Sequence, residues 1–185
     1  MRPYVNSLIK SAVLSIALFT AATEMRGEPV PQGSAPVLRS DFSVSKCPSW
    51  KRNDWKGYNP FPEFEIDLEQ KALHVKKGSG PKGFGFVNGK ERITAKAGNT
   101  IVVTVMAKGS GSMFVGLQNF SGGKFAGVAK SVYFKLEPEW KEFTLEIPVE
   151  NLKSQKDRKT DQVMLTFGGS QDTELYLKVI TAYCK

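Results

Sequence analysis

The chain holds 185 residues, 41% of them hydrophobic, and 26 Lys and Arg against 18 Asp and Glu leave a net charge of +8. That length is one domain with appendages and allows a substantial core, which excludes a string of domains and a wholly disordered chain. The basic residues, among them Lys76, Lys82, Lys90, Arg92, Lys108, Lys124 and Arg158, are scattered rather than gathered in one run, so solubility explains the charge as readily as an anionic polymer or an acidic surface does.

At the N-terminus, Arg2 and Lys10 precede the apolar run SAVLSIALFTAA, Ser11 to Ala22. The run is shorter than the roughly 20 residues needed to span a bilayer, and it ends in small residues at Thr20 and Ala22. Residues 1–22 therefore read as a secretory signal peptide cleaved after Ala22, with a buried core helix as the alternative. The expected destination is secreted, periplasmic or cell-surface, with no stable membrane insertion after cleavage. Loss of Arg2 and Lys10 lowers the net charge from +8 to +6, so the mature chain stays basic. Residues 23–40 contain GEPVPQGSAPVLRS, whose prolines, glycines and serines argue for a flexible linker, and residues 41–185 read as the folded unit. Two cysteines, Cys47 and Cys184, bracket that unit. In an oxidising compartment an even pair predicts a disulfide, which by closing so long a loop would contribute about 4 to 5 kcal/mol; two free thiols are the alternative.

Next comes CPSWKRNDWKGYNPF, an aromatic cluster in which Trp50 reads as a cap over one end of the core and Trp55 as a binding rim. Beyond it the dominant hydrophobic period is two, in short segments bounded by glycine or polar turns. Strands are predicted over 64–68, 72–76, 83–87, 100–108, 112–120, 132–136, 140–148, 162–167 and 175–183. No helical periodicity competes. So many short strands in one domain imply an all-β fold, a two-sheet antiparallel β-sandwich of the jelly-roll kind, because a single open sheet would leave an apolar face wet.

Alternation also sorts the faces. In TIVVTVMAK the core row is Ile101, Val103, Val105 and Ala107, and in QVMLTF it is Val163, Leu165 and Phe167. KEFTLEIP sends Phe143, Leu145 and Ile147 inward and leaves Glu142, Thr144 and Glu146 wet. SMFVGLQNF differs: Met113, Val115 and Leu117 are core, but Phe114, Gly116, Gln118 and Phe120 make an outer row that mixes rings with an amide. Such a row is either a functional surface or a second core covered by loops.

The succession GFVNGKERITAKAGNTIVVTVMAKGSG, SMFVGLQNFSGGKF, EPEWKEFTLEIPV and DQVMLTFGGSQDTELYLKVI resembles the exported carbohydrate-binding modules of families 4, 9, 16 and 22, over roughly residues 64 to 182. The resemblance implies a galactose-binding-like jelly roll that binds polysaccharide along a concave sheet face or at the sandwich edge. By position it implies that Asn88, Phe125 and Gln162 lie at the cleft, with Phe125 where family members often carry Tyr. Many such modules hold a structural calcium. Here Lys178 stands near the point where the family tends to show an Asp, which argues against calcium, and no cofactor or metal site is expected.

The chemistry of sugars agrees with that implication. A pyranose offers a flat C–H patch and a hydroxyl edge, so its site needs aromatic faces and amides that both donate and accept. Phe114, Phe120, Phe125, Tyr133, Gln118, Asn88 and Gln162 are of those types, with Trp55 as the rim. Catalysis lacks its parts: the acids at Glu63, Glu65, Asp67 and Glu69, and at Glu142 and Glu146, read as solvated edges. The single histidine, His74, reads as a satisfied surface residue on an outward row. No phosphate loop or CxxC pair occurs, and GFGFVNG is no RNA-binding signature here, so no nucleic-acid partner is expected. Asn119-Phe120-Ser121 is a glycosylation sequon, with meaning only in a eukaryotic secretory route. The sequence thus predicts a non-catalytic, exported polysaccharide- or cell-surface-glycan-binding domain; the alternative is a structural or adhesive surface protein that contacts protein.

Overall fold

The structure is a computed structural model, and it describes residues 35–43, 50–52, 64–76, 83–89, 91–129, 131–152 and 158–185. Residues 1–22 of the expected signal peptide, residues 23–34 of the expected linker, Cys47 and Trp55 lie outside the described residues.

All nine expected strands are present, with ends within two residues of those read from periodicity. In the first sheet, β3 (Phe64–Asp67), β4 (Ala72–Val75), β7 (Thr100–Ser110), β11 (Lys141–Pro148) and β13 (Glu174–Cys184) lie in the order β11-β7-β13-β4-β3. In the second, β5 (Phe84–Asn88), β8 (Ser112–Ser121), β10 (Val132–Lys135) and β12 (Gln162–Gly169) are joined by β2 (Trp50–Arg52) in the order β10-β8-β12-β5-β2. Four strands were not legible in the pattern, β2 and three more. β1 (Leu38–Asp41) pairs with β13, β6 (Ile93–Thr94) with β12, and β9 (Lys124–Val128) with β8. Every pairing is antiparallel. The chain is an all-β sandwich of two antiparallel sheets.

The predicted inward rows meet between the sheets. Ile101, Val103, Val105 and Ala107 of β7 face Met113, Val115 and Leu117 of β8 and Val163, Leu165 and Phe167 of β12 within one buried cluster. Each side chain of this size contributes about 1.5 to 3 kcal/mol on leaving water. Phe86 and Phe167 sit directly opposite in the β5–β12 register and stack at 5.3 Å with 10° between their planes. Trp50 closes this edge: its ring lies edge-on to Phe86 at 5.5 Å and to Phe167 at 5.4 Å, and its Nε1–H donates to Ser40 Oγ at 2.8 Å. Its role is the cap read from the sequence.

A bulge at Lys178 shifts the register of β13 against β7 between Leu177 and Val179. The inward phase therefore moves from Leu175 and Leu177 to Ile180 and Ala182. The extra residue, Lys178, places its ammonium 4.2 Å from the centre of the Trp140 ring. Beyond the bulge β13 takes β1 as its second neighbour, with Leu38 opposite Ala182 and Val37 N–H donating to Ala182 O at 2.8 Å. Strand pairing thus begins inside the stretch expected to be linker, because Leu38 and Ser40 alternate inward.

Cys184 is half-buried and opposite Ile101, with no cysteine bonded to it among the described residues; its expected disulfide partner, Cys47, lies outside them. One expectation needs correction. His74 lies on the outward row as expected, yet it is buried. Its ring stacks on Tyr176 at 4.2 Å, with Nε2 3.0 Å from Glu174 Oε1 and Nδ1 3.5 Å from Glu65 Oε1. Both of its nitrogens have partners, which is what a polar ring needs when neighbours exclude water.

Candidate functional site

The outer face of the second sheet carries the side chains that point away from the core, and the strand registers arrange them in cross-strand rows. The first row runs Tyr133, Phe114, Gly168, Gly85 across β10, β8, β12 and β5. Phe114 and Tyr133 tilt against each other at 5.7 Å. The Phe114 ring lies over Gly168, where an added Cβ would come within 2.4 Å of it. The second row is Gly116, Thr166 and Val87, with the Ser131 hydroxyl over Gly116. Gln118 and Met164 form the centre of the third, flanked by Val128. The fourth row runs Phe125, Phe120, Gln162, Thr94 across β9, β8, β12 and β6.

Burial divides this face. Phe120, Met164 and Val87 form an apolar cluster of their own, separate from the main core, and Gln118 is only 6% exposed. Phe114 and Gln162 are half-buried. The exposed rings stand at the two ends: Tyr133 at 73% and Phe125 at 46%. Six residues separate Phe114 from Phe120 along β8, so the two ends are about 20 Å apart. The outer row of SMFVGLQNF is therefore neither an open groove along its whole length nor simply a second core.

At the Phe125 end the geometry is tightest. Phe125 meets Phe120 edge-on at 5.9 Å. The β8–β9 hairpin that carries Phe125 turns through Gly122 and Gly123 at φ 55° and 76°, a conformation that favours glycine. Its Gly122 N–H donates to Asp161 Oδ2 at 2.7 Å. Over the Phe120 ring lies the guanidinium of Arg92, 3.9 Å from the centroid, whose Nη1 donates to Gly123 O at 3.0 Å and to Gln162 Oε1 at 3.3 Å. Arg92 is exposed.

Among the described residues this face offers rings for stacking and amides for hydrogen bonding. Asp161 is engaged by Gly122, and Glu91 accepts from the Asn88 amide at 3.1 Å. Among the described residues no group of three or more His, Cys, Asp or Glu could hold a metal ion.

At the level of sequence, no family model and no curated protein matches this chain. Solved structures do match. The apo structure of BiXyn10A CBM1 superposes over 80% of this chain and 98% of its own, at 12% identity and a TM-score of 0.54. The two share one fold. The same fold also occurs within the enzymatically active domain of bacteriophage CBA120 tailspike protein 4, with 9% identity, a TM-score of 0.54 and 78% of this chain covered; the present chain spans 20% of that one. A CBM4 structure matches 72% of this chain and 86% of its own at 14% identity and a TM-score of 0.47.

Within this fold the sequence-predicted residues separate. Phe114, Gln118, Phe120, Phe125, Tyr133 and Gln162 share the outer face of one sheet. Asn88 does not join them: it points to the core side, is fully buried, and receives the Glu91 N–H on its Oδ1 at 3.1 Å, closing the turn after β5. Asn119 is likewise buried and donates to Glu150 O and Thr160 Oγ1, so the sequon is closed to modification in the folded chain. Arg92 is the residue that sequence reading missed. Its signal was the alternation in ERITA, where Ile93 and Ala95 are inward and Arg92 and Thr94 outward, but a two-residue strand is too short to announce itself.

Proposed function

We propose that this chain is a non-catalytic, exported carbohydrate-binding domain that holds a polysaccharide against the outer face of the second sheet. The observation that carries this reading is the placement of two exposed rings, Phe125 and Tyr133, at the ends of one sheet face, with the half-buried Phe114 and Gln162 beside them. Rings stack on the C–H faces of sugar units, and Gln162, whose Oε1 accepts from Arg92, keeps its Nε2 hydrogens for a sugar hydroxyl. The module fold of BiXyn10A CBM1 supports the reading. Export is supported by the charged start and short apolar run of residues 1–22.

Each hydrogen bond exchanged with water contributes about 0.5 to 1.5 kcal/mol net. Binding is accordingly weak, with a Kd between roughly micromolar and millimolar, about −8 to −4 kcal/mol. A glycan array on the mature domain, followed by titration calorimetry, tests this. Phe125→Ala is expected to remove most of the affinity while lowering stability by only about 0.5 to 1.5 kcal/mol, the worth of its edge contact with Phe120, since the ring is 46% exposed. A domain that binds no glycan, or whose affinity ignores Phe125→Ala, refutes the reading and leaves an adhesive surface protein in its place.

A further inference from the structure

Several cations among the described residues are paired with acids or lie over rings. Lys76 is paired with Glu65, Lys141 with Glu137, Lys185 with Glu146 and Arg39 with Asp41, while Lys108 and Lys178 lie over the Trp140 ring on the other sheet. Arg92 differs. It is exposed, no carboxylate among the described residues pairs with it, and it is held in place from three directions: by the Phe120 ring beneath it and by two acceptors, Gly123 O and Gln162 Oε1, both on Nη1. Nη2 and Nε keep their hydrogens for another partner, on a planar edge suited to two oxygens of one acid.

A lone surface cation is normally a solvated, moving charge. This one is immobilised beside Phe125 and Gln162, in the fourth row of the face proposed to hold sugar. Lys124 precedes Phe125 on β9, and Arg158 and Lys159 precede β12, all three exposed. They outnumber the two neighbouring acids, Asp161 and Glu91, which stay charged while accepting from the Gly122 N–H and the Asn88 amide.

We propose that Arg92 is a subsite for the carboxylate of an acidic sugar, so that the polysaccharide held on this face is a polyuronate or a uronate-substituted glycan rather than a neutral one. This rests on the proposed carbohydrate-binding reading and adds its ligand class. Phe125 stacks on the ring of the uronate unit, Gln162 Nε2 donates to a hydroxyl, and the free edge of Arg92 takes the carboxylate.

The test uses one backbone with and without charge: polygalacturonate and its methyl-esterified form, each titrated against the mature domain at low and at high salt, with neutral β-1,4-galactan and xylan as further probes. A charge-assisted pair predicts about 10- to 100-fold tighter binding of the free acid at low salt, shrinking as salt screens it. Arg92→Gln is expected to abolish that preference, with an unchanged circular-dichroism spectrum and thermal melt showing that the variant is folded. Arg92→Lys keeps part of the preference, and Lys141→Gln, on the other sheet, keeps it all. Equal affinity for the two forms, or a preference that survives Arg92→Gln, overturns the inference. So does binding of neutral galactan or xylan but not of polygalacturonate, which leaves the carbohydrate-binding reading intact. Binding of none of the four polymers by a domain that also fails on a broad glycan array overturns both.

Discussion

Gly168 is the position where the sheet's outer face is most sensitive to one carbon atom. A Cβ there would lie 2.4 Å from two carbons of the Phe114 ring and 2.7 Å from the backbone carbonyl oxygen of Phe84. The ring can swing aside; the carbonyl belongs to β5 and can move only if β5 and β12 part. Overpacking of this kind typically costs about 1 to 3 kcal/mol. At this chain length 1 kcal/mol moves Tm by about 2 to 4 °C, so Gly168→Ala should lower it by roughly 2 to 12 °C. Urea unfolding followed by tryptophan fluorescence gives the loss directly, with an unchanged slope marking a change in stability rather than in the denatured ensemble. Phe114→Ala removes one of the two obstacles. The double variant Gly168→Ala, Phe114→Ala should therefore lose less than the sum of the singles, by about 0.5 kcal/mol or more, the remainder being the contact with Phe84. If Gly168→Ala leaves stability within about 0.5 kcal/mol of the wild type, the ring does not rest on the backbone at this point, and the description of the first row is wrong.

The core and the far sheet make other demands. Val115→Ala, fully buried between the sheets, should lower unfolding free energy by about 1 to 3 kcal/mol with sugar affinity unchanged, read by denaturant titration and calorimetry. Trp50→Phe keeps the ring in the aromatic edge but deletes the bond to Ser40, so a loss of about 0.5 to 1.5 kcal/mol is expected in the same assay. The Lys76 ammonium beside Glu65 holds its carboxyl below the usual carboxylate range, with desolvation opposing and His74 assisting. A depressed folded-state pKa gives stability that is present above the unfolded value of about 4.3 and lost as pH falls through the folded one. Thermal melts from pH 6 downward should accordingly show a shallower acid loss in Glu65→Gln than in the wild type, and parallel curves would refute the pairing.

How legible all this was depended on strand length and on which side of a strand a residue faced. β7, β8 and β12 repeat the alternation often enough for Ile101 to Ala107, Met113 to Leu117 and Val163 to Phe167 to declare the core face. β2 and β6 have three and two residues, and no period can be read from so few. The outer row was recognisable as unusual because Phe114, Gln118 and Phe120 do not belong on an ordinary wet face. How much of it stays open was not recognisable, since burial of Gln118 and Phe120 depends on what packs over the sheet, which no local pattern encodes. Asn88 shows the other limit. A resemblance carried it to the cleft by position, but a one-residue difference in phase sends a strand residue to the opposite face, and its amide serves the turn with Glu91 instead. Lys178 escaped the alternation for a similar reason, because a bulge resets the phase of β13 partway along.

The pairing of β1 with the end of β13 has a consequence for how such a unit can be wired into larger molecules. Leu38, where the first strand enters, lies beside Ala182, and the last residues are clipped to the neighbouring strand by Lys185 N–H to Thr100 O at 2.9 Å and Thr100 N–H to Lys185 O at 3.0 Å. Entrance and exit thus sit at the same corner of the sandwich. A host loop interrupted by this fold would be pried open by only about a strand spacing, roughly 5 Å, so the sandwich can be grafted mid-chain as well as hung on a tail. By the same adjacency, a short bridge across that corner would allow the chain to be cut open elsewhere, the exposed Gly122–Gly123 hairpin being a suitable place, without rethreading either sheet.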